Sequence, residues 1–382
     1  MKSKNTCITS PSLELRETAK FTVLERSDSP GNKCGVAKEA HIRPNLPVMD
    51  FMELVRSSKD GVSHTFWSHL EQHGYVYITF PCSSLPAKII KDLEHTIETD
   101  FFPPCTELQS HHQQDQQVNV ADLKSGDFPY VSERGVPMYR LGYEHCDSIR
   151  EAFRVHCGSP DSQPWPCSSS RRKWLRGMCL CRYICDVALH LTLGYTVKTC
   201  STGSGAHSWK TEPEQDDKVS YFAREHGTLP DRKGDYSVMY AMHYFNNNAS
   251  SHRDLPVLVE DDGVPLNVKS HVDPSLFVLE PYLATVEGLQ VRPTESNEWM
   301  TVDGPSSHVH DLIQRIQQHK NEDVLPMALF VGRAFAREAE IRCGRTVTPT
   351  LHRVVSPRCG QRRTVAIYEQ KYEEYFPPPL LD

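Results

Sequence analysis

The sequence predicts a mainly β protein with flanking helices, in which an α/β amino-terminal portion precedes an all-β sandwich or jelly roll. Residues 44–230 alternate strand-like and helix-like patterns. Residues 231–375 contain many short apolar segments separated by turn-forming residues, which is typical of sandwiches and jelly rolls. Residues 1–43 are polar and broken by Ser, Pro and Gly, so we expect a mobile tail there.

The amino-terminal portion begins with the patterns of a strand, a helix and a second strand. LPVMDFMELV predicts a strand, SHTFWSHLEQHG a helix that ends at Gly74, and YVYITF a β-rich segment. A second helix is predicted in LPAKIIKDLEHTIETDFF, because its isoleucines and leucine recur on one face.

Two further helices are predicted before the β-rich portion, and one within it. SIREAFRV has a helical pattern, and so does KWLRGMCLCRYICDVALHLTLGY, which we expect to end near Gly194. HVHDLIQRIQQH predicts one helix among the later strands. Residues 104–137 and 200–218 are polar and lack periodicity, so both predict loops.

Composition excludes several classes of protein. The chain has 382 residues and a net charge of −7, which disfavours nucleic acid as a partner. No apolar stretch approaches the roughly 20 residues that a membrane span needs. The amino terminus lacks a secretory pattern, and the 13 cysteines are odd in number, so we expect reduced thiols and a cytoplasmic location. We expect a monomer with a small-molecule substrate.

Three residues carry a metal-ligand pattern. His271 and Asp273 in SHVDPS lie two apart, so in a strand their side chains point to the same side. His352 in TLHRVV follows 352 − 273 = 79 residues later, where a jelly roll could bring it opposite the first pair. Two imidazoles and one carboxylate leave three positions of an octahedral ion open, as non-haem Fe(II) oxygenases require.

An arginine and a hydroxyl follow the third ligand. Arg362 and Thr364 share one face of a predicted strand, whereas Arg363, Val365 and Ile367 share the other. A guanidinium beside a hydroxyl can bind a carboxylate, since the planar fork of arginine matches its two oxygens. Arg362 with Thr364 is therefore a candidate carboxylate clamp.

The chain resembles the isopenicillin N synthase-like family of Fe(II)/2-oxoglutarate-dependent dioxygenases over most of its length. LPVMDFMEL with EQHGYVYITF resembles the amino-terminal domain of that family, and the helix ending in LTLGY resembles its central helix. HVDPSLFVLEPYLATVEGLQV resembles the segment with the first two metal ligands. LPMALFVGRAFAREAEIRCGRTVTPTLHRVVSP, followed by RRT, resembles the segment with the third ligand and the clamp.

The resemblance implies a double-stranded β-helix (jelly-roll) core with Fe(II), 2-oxoglutarate and O2 as its cofactors. It maps His271, Asp273 and His352 onto the iron ligands, and Arg362 with Thr364 onto the Arg-x-Ser pair that holds the distal carboxylate of 2-oxoglutarate. It also implies hydroxylation, desaturation or cyclisation of a small metabolite, either an amino-acid derivative or a specialised natural product, with release of succinate and CO2.

The chain departs from the family pattern in two places. Many relatives have Asn-Tyr-Tyr-Pro before the first ligand, where this chain has His243-Tyr244-Phe245-Asn246; Tyr244 is then a candidate contact for the cosubstrate or a core aromatic. From Tyr244 to His271 there are 271 − 244 = 27 positions, more than in plant members. An acidic loop at residues 260–262 is therefore either an element that rejects anionic substrates or recognises an amine, or a solvated loop.

Three other functions remain open from the sequence. An oxidase of the same fold could use Arg362 and Thr364 to bind the carboxylate of its substrate, without 2-oxoglutarate. A zinc hydrolase could use the same three metal ligands, although no general base stands near them in the sequence. A catalytically silent binding module would leave both the ligands and the clamp unexplained.

Overall fold

The computed structural model describes the part of the chain that carries the predicted strands and helices. All described residues lie in one of the two units into which the chain divides, Asn45–Asp382. The described ranges are 46–56, 60–102, 141–147, 149–158, 165–195, 234–245, 258–294, 296, 298–305, 307–320, 322–356 and 361–376. The predicted tail at 1–43 and the predicted loops at 104–137 and 200–218 lie outside them.

The strands form two sheets, one of eight strands and one of five. The large sheet has the order β1-β2-β11-β8-β13-β5-β4-β3, and the small sheet has the order β10-β9-β12-β7-β6. The strands are β1 Val48–Asp50, β2 Tyr75–Pro81, β3 Gly142–Asp147, β4 Arg150–His156, β5 Val238–Tyr244, β6 Leu258–Val259, β7 Pro265–His271, β8 Phe277–Glu280, β9 Leu289–Arg292, β10 Met300–Thr301, β11 Val324–Val331, β12 Leu351–Val355 and β13 Arg363–Glu369.

Helices cover one face of the large sheet or precede its strands. They are α1 Phe51–Arg56, α2 Asp60–His73, α3 Leu85–Thr96, α4 Ser168–Leu193, α5 His308–Lys320 and α6 Arg333–Cys343, with a π-helical turn at Ile97–Phe101 after α3 and a 3-10 turn at Glu373–Tyr375. Ser84 caps α3 by accepting a hydrogen bond from the Ala87 amide. None of the described helices is both long and apolar enough to cross a membrane.

The large sheet buries side chains on both of its faces. Trp174 of α4, Phe153 of β4 and Phe101 pack together in the main core between the helices and the sheet. On the opposite face, Val365 of β13 packs with Val354 of the small sheet. The two sheets therefore face each other across a second, smaller core, and residues that alternate along a strand of the large sheet belong to different cores.

Most of the predicted elements are confirmed. The helix predicted to end near Gly194 is α4, and Gly194 adopts the left-handed backbone with φ of 68° that ends a helix without a Cβ clash. The predicted YVYITF strand is β2, and HVHDLIQRIQQH forms α5. The eight cysteines within the described ranges are all free thiols, in agreement with the predicted reduced state.

The helix predicted from SIREAFRV is wrong, because Arg150–His156 is strand β4. Its residues favour a helix locally, but β4 hydrogen bonds to β3 on one side and β5 on the other, and this tertiary pairing overrides the local preference. The strand predicted from LPVMDFMELV is wrong in its second half, which begins helix α1. Helix α6, RAFAREAEIRC, was not predicted, although it is rich in strong helix formers and ends at Gly344 with φ of 62°.

A buried ion pair joins the two sheets. Arg363 at the start of β13 donates from Nε and Nη2 to Oδ2 of Asp303, at 2.9 and 2.5 Å. Asp303 follows β10, and its Oδ1 accepts from the amides of Gly288 and Leu289 at 2.8 and 3.0 Å. Both side chains are almost fully buried, at 1% and 0% exposure, so neither charge has water as an alternative partner.

Asp303→Asn is predicted to destabilise the fold strongly, because it removes the counter-charge that the buried Arg363 guanidinium contacts, and the acid Glu280 can replace that charge only by giving up the proton that burial makes it hold. We expect the free energy of unfolding to fall by about 3 to 5 kcal/mol. Urea denaturation followed by circular dichroism measures the change, with the exposed Glu340→Gln on α6 as the matched control. An equally small loss in both variants would contradict the assigned role of the pair.

Candidate metal centre

The pairing of β7 with β12 brings the two predicted histidine ligands together. The strands are antiparallel, and His352 lies directly opposite His271 in the register. Directly opposed residues on one face of an antiparallel pair are close neighbours, and the two imidazole rings are 4.3 Å apart between centroids. The metal site predicted from sequence therefore has its two histidines on adjacent strands of the small sheet.

Asp273 lies just beyond β7, in a segment fixed by the beginning of α6. The carbonyl of Asp273 accepts from the Arg333 amide at 2.9 Å, and the carbonyl of Ser275 accepts from the Ala334 amide at 3.1 Å. Gly332 permits this approach, because a Cβ on it would lie 2.0 Å from the Ser275 carbonyl oxygen. The carboxylate of Asp273 is thus held against the two imidazoles.

Both histidines direct Nε2 toward Asp273. Nε2 of His352 is 3.3 Å from Oδ2, and Nε2 of His271 is 3.6 Å from Oδ1. The other ring nitrogens, Nδ1, contact the carbonyl oxygens of Thr350 at 3.1 Å and Lys269 at 2.8 Å. Since a carbonyl only accepts, Nδ1 donates in each ring, and the Nε2 lone pairs are left for a metal ion.

Thr350 ties the third ligand to the large sheet. Its hydroxyl donates to the carbonyl of Gly74 at 2.6 Å, and its amide donates to the carbonyl of Val331 at 2.9 Å. The ring of Phe330 lies nearly parallel to that of His352, at 6.0 Å between centroids. These contacts limit rotation of the imidazole, as the contacts behind a metal-binding histidine generally do.

Burial sets the protonation of the ligands. Desolvation lowers the pKa of His352, although Asp273 opposes this change, so the imidazole is neutral and able to bind a cation. Desolvation also raises the pKa of Asp273 against the opposing effect of His352. A divalent ion between the three side chains would offset the cost of burying this carboxylate.

The three side chains fit a divalent transition-metal ion. Each offers one ligand atom, and these atoms all lie within 4.8 Å of one another. Adjacent ligands of an octahedral ion with bonds near 2.1 Å are about 3 Å apart, so small rotations of the side chains suffice. Two imidazoles with one carboxylate, and no further protein ligand in the group among the residues that the structure describes, match an ion with open positions.

The three ligands line a cavity of about 200 Å³ between the two sheets, the metal cavity. Its other lining residues combine an apolar belt with several polar side chains. They are Arg150, Arg154, Tyr240, Met242, Tyr244, Val268, Val278, Glu280, Leu289, Phe330, Val354 and Ile367.

The candidate clamp residues line a different cavity. Arg362 and Thr364 line a cavity of about 240 Å³, the second cavity, together with Glu94, Glu98 and Tyr282 among others. Desolvation raises the pKa of Glu94, and the neighbouring Glu98 adds to this change. Arg362 and Thr364 are thus placed together, as predicted, but not among the residues that line the metal cavity.

Arg363 occupies the boundary between the two cavities. It lines the second cavity, and its guanidinium lies 5.2 Å from the ring centroid of Tyr244, which lines the metal cavity. Tyr244 is 2% exposed and packs in the core between the sheets. It is therefore both a buried aromatic and a wall of the metal cavity.

The sequence analysis did not identify three charged residues of the metal cavity. Arg150 and Arg154 were hidden because β4 was predicted to be a helix, and Glu280 lies in the apolar run SLFVLEPYL. Glu280 could have been identified as an ionisable residue within an apolar segment, because charged side chains are rarely buried in a core without a partner. Burial raises the pKa of Glu280 to about 8.

The acidic loop at residues 260–262 forms a turn between β6 and β7. Glu260 and Asp262 contact the guanidinium of Arg353 at 3.1 and 2.6 Å, and Glu260 also accepts from the Ser270 amide at 2.6 Å. Arg353 lies 4.2 Å from the ring centroid of Trp299. These two acidic side chains are therefore engaged in holding Arg353 beside the neighbouring ligand His352.

The sequence matches no protein-family model, and it matches no curated protein. Several solved structures are similar at low identity. A full-length protein of Neurospora crassa, solved in complex with alpha-KG and 5-formyluracil, gives a TM-score of 0.48 at 12% identity, over 86% of this chain and 84% of that chain. The dioxygenase for auxin oxidation 1 of Arabidopsis thaliana, solved as a 2-oxoglutarate complex, gives a TM-score of 0.44 at 14% identity, over 86% of this chain and 94% of that chain. The dioxygenase for auxin oxidation in rice gives a TM-score of 0.45 at 13% identity, over 86% of this chain and 84% of that chain.

Substitution of a ligand is predicted to abolish tight metal binding. His352→Ala, His271→Ala and Asp273→Ala each remove one of three donors, so we expect affinity for Co(II), used as a spectroscopic probe, to fall roughly 100-fold or more. Titration by visible absorption measures the loss, with the exposed His310→Ala on α5 as control. Equal affinity in all four variants would place the metal elsewhere.

The buried carboxyl of Glu280 is predicted to make stability fall as pH rises. Its pKa is about 8 in the folded protein against an ordinary 4.5, so the folded state binds the proton more tightly. This contribution is fully present below pH 4.5 and is lost as pH rises through 8. We expect the metal-free protein to lose roughly 2 to 4 kcal/mol relative to Glu280→Gln across that window. Urea midpoints at several pH values test this, and parallel curves would contradict it.

Proposed function

We propose that this chain is a non-haem Fe(II) oxygenase that uses 2-oxoglutarate and O2 to oxidise a small metabolite. The observation that carries the proposal is the arrangement of His271, Asp273 and His352. Two imidazoles present Nε2 toward one carboxylate, and both have Nδ1 fixed by a backbone carbonyl. A neutral two-histidine, one-carboxylate set suits Fe(II) with positions left for other molecules.

The proposal includes the fold. We assign the large and small sheets to a double-stranded β-helix, or jelly roll, with α1–α4 packed outside it. In support, the two sheets face each other through shared apolar clusters, and the small sheet has the non-sequential order β10-β9-β12-β7-β6. Strands that neighbour in space but not in sequence are typical of such double-sheet folds.

The protein contributes position and exclusion of water. When bound, Fe(II) would supply the redox chemistry by which O2 oxidises the substrate while 2-oxoglutarate is converted to succinate and CO2. His271 and His352 would hold the metal through Nε2, and Asp273 would supply the negative charge. Apolar walls such as Met242 and Phe330 keep bulk water from the reacting carbon, and their shape would decide among hydroxylation, desaturation and ring closure.

The carboxylate clamp remains a proposal. Arg362 with Thr364 would hold the distal carboxylate of 2-oxoglutarate, with Tyr244 as the wall between that pair and the metal. The second cavity offers the arginine and the hydroxyl side by side, which is the chemistry that a carboxylate requires. A ligand that contacts both the metal and Arg362 has to pass the stacked pair of Tyr244 and Arg363.

That separation favours a second candidate function. An iron-dependent oxidase of the same fold would use Arg362 and Thr364 for the carboxylate of its own substrate and would need no 2-oxoglutarate. A molecule longer than 2-oxoglutarate reaches more easily from the metal cavity into the second cavity. The two candidates differ in whether 2-oxoglutarate binds and is consumed.

The test is formation of succinate. Protein loaded anaerobically with Fe(II) is given 2-oxoglutarate and then air, and succinate is measured by NMR. Slow turnover without substrate is expected in the wild type, and none is expected in His271→Ala because the metal is lost. Acceleration of the same rate then screens small metabolites, with amino-acid derivatives first.

The other outcomes separate the candidates. Fe(II) binding without binding or turnover of 2-oxoglutarate would exclude the dioxygenase and leave the oxidase, for which oxygen consumption with candidate substrates is the assay. Arg362→Gln and Thr364→Ala then report on the clamp, since each should raise the KM for whichever carboxylate the pair holds. A protein that fails to bind Fe(II) would exclude both.

A further inference from the structure

One wall of the metal cavity carries a buried acid that its neighbours do not satisfy. Glu280 lies at the end of β8, is 4% exposed and lines the metal cavity. Its Oε2 has no hydrogen-bond partner among the described residues. A buried carboxyl oxygen without a partner costs about 1 to 3 kcal/mol, so its presence in a cavity calls for a ligand group that completes it.

The charge of Arg363 does not neutralise Glu280. Arg363 directs Nε and Nη2 to Asp303, and the charge of Asp303 raises the pKa of Glu280 while Arg363 lowers it. Burial raises the pKa of Glu280 and outweighs the opposing effect of Arg363, so the acid is largely protonated at neutral pH. A cation placed against Glu280 would displace this proton and form a desolvated ion pair.

The opposite end of the same wall is basic. Arg154 of β4 lines the metal cavity and is partly buried, with 11% of its side chain exposed. It contacts Glu144 of β3, whose side chain is 30% exposed, so that pair is formed at the partly solvated side of the wall. Arg150, four residues before Arg154, lines the cavity as well.

The sheet register places the two charges in one row. Arg154 lies opposite Tyr240 of β5, and Tyr240 lies opposite Ile367 of β13. Tyr368 lies opposite Leu279 of β8, so Glu280 follows on that strand beside Ile367. Neighbouring strands are about 4.8 Å apart, so three such steps separate the acid from the base by on the order of 14 Å between Cα atoms.

Tyr240 and Ile367 form the middle of the row, and because the Tyr240 hydroxyl donates to Glu369, the surface between the two ends is mainly apolar. Ile367 lies between the two ends, and Met242 and Val268 line the cavity nearby. A ligand that lies along this wall, facing the three metal ligands, would bury a hydrocarbon segment at its centre and present polar groups at both ends.

We propose that the metal cavity binds an amino acid with an extended carbon chain, its amine at Glu280 and its carboxylate at Arg154. This inference rests on the proposed function and names the substrate class for the same site. A dicarboxylate would place one carboxylate against Glu280, and a diamine would place one ammonium against Arg154. A molecule with opposite charges at its two ends forms an ion pair with both side chains once Glu280 gives up its proton.

The test measures binding without turnover. Protein loaded with Co(II) is titrated calorimetrically with aminohexanoate, hexylamine and hexanoate, which share a six-carbon chain and differ at its ends. We expect aminohexanoate to bind at least tenfold more tightly than either single-ended probe. Its binding near neutral pH should release a proton in the wild type, because Glu280 ionises against the ammonium.

Variants assign the two ends. Glu280→Gln should abolish the preference for aminohexanoate over hexanoate and also the proton release. Arg154→Gln should abolish the preference for aminohexanoate over hexylamine. Arg154→Lys should retain part of this preference, because it keeps the positive charge. Arg292→Gln, an exposed arginine on β9, should change neither preference. The Co(II) spectrum and the thermal melt of each variant show whether the site is folded.

The outcomes are separable from those of the proposed function. Equal wild-type affinity for the three probes would overturn the inference, as would a preference that persists in both Glu280→Gln and Arg154→Gln. Because no turnover is involved, a protein that selects aminohexanoate but forms no succinate would support the binding site and contradict the dioxygenase. A protein that forms succinate but does not select aminohexanoate would support the dioxygenase and contradict the binding site.

Discussion

The antiparallel pairing of β7 with β12 is the constraint on which the candidate metal centre depends. Side chains alternate between the faces of a strand, so a slip of one residue would turn His352 away from His271. The register is held on the outer face as well, where Arg353 is bound by Glu260 and Asp262 of the β6–β7 turn. The acidic turn, for which the sequence left both substrate recognition and a solvated loop open, therefore acts on the metal site through strand alignment.

Much of the fold was predictable from periodicity, and the exceptions have physical causes. Long amphipathic helices such as α4 and short β-rich strands such as β2 carry strong local patterns. Strand β4 does not, because REAF favours a helix and only pairing with two neighbours makes it extended. Strands β2, from the predicted amino-terminal α/β region, and β11, from the β-rich portion, pair in one sheet, an arrangement that no local pattern encodes.

The candidate site was predictable in its ligands but not in its walls. The spacing of His271 and Asp273 placed both on one side of a strand, and the later histidine had the chemistry to join them. At β13 the predicted alternation holds for the apolar residues, since Val365 packs between the two sheets and Ala366 packs in the main core. The sequence could not predict which face of β13 points toward the metal. The strand is buried on both sides, so neither face has the polar residues that are typical of a solvent-exposed side.

Asp303 links the stability of the fold to the chemistry of the cavity. By holding Arg363 it prevents that guanidinium from turning to Glu280, and its own charge favours the protonated form of Glu280. In many cores, replacement of a buried charged group such as Asp303, Arg363 and Glu280 by apolar side chains is stabilising. Here it would remove Glu280, which among the described residues is the only acid besides Asp273 that lines the metal cavity. The main role of the Asp303–Arg363 ion pair is therefore to keep the carboxyl of Glu280 available, and its contribution to stability is secondary. If Arg363 were free to pair with Glu280, the acid would already have a partner within the protein and would need none from a ligand.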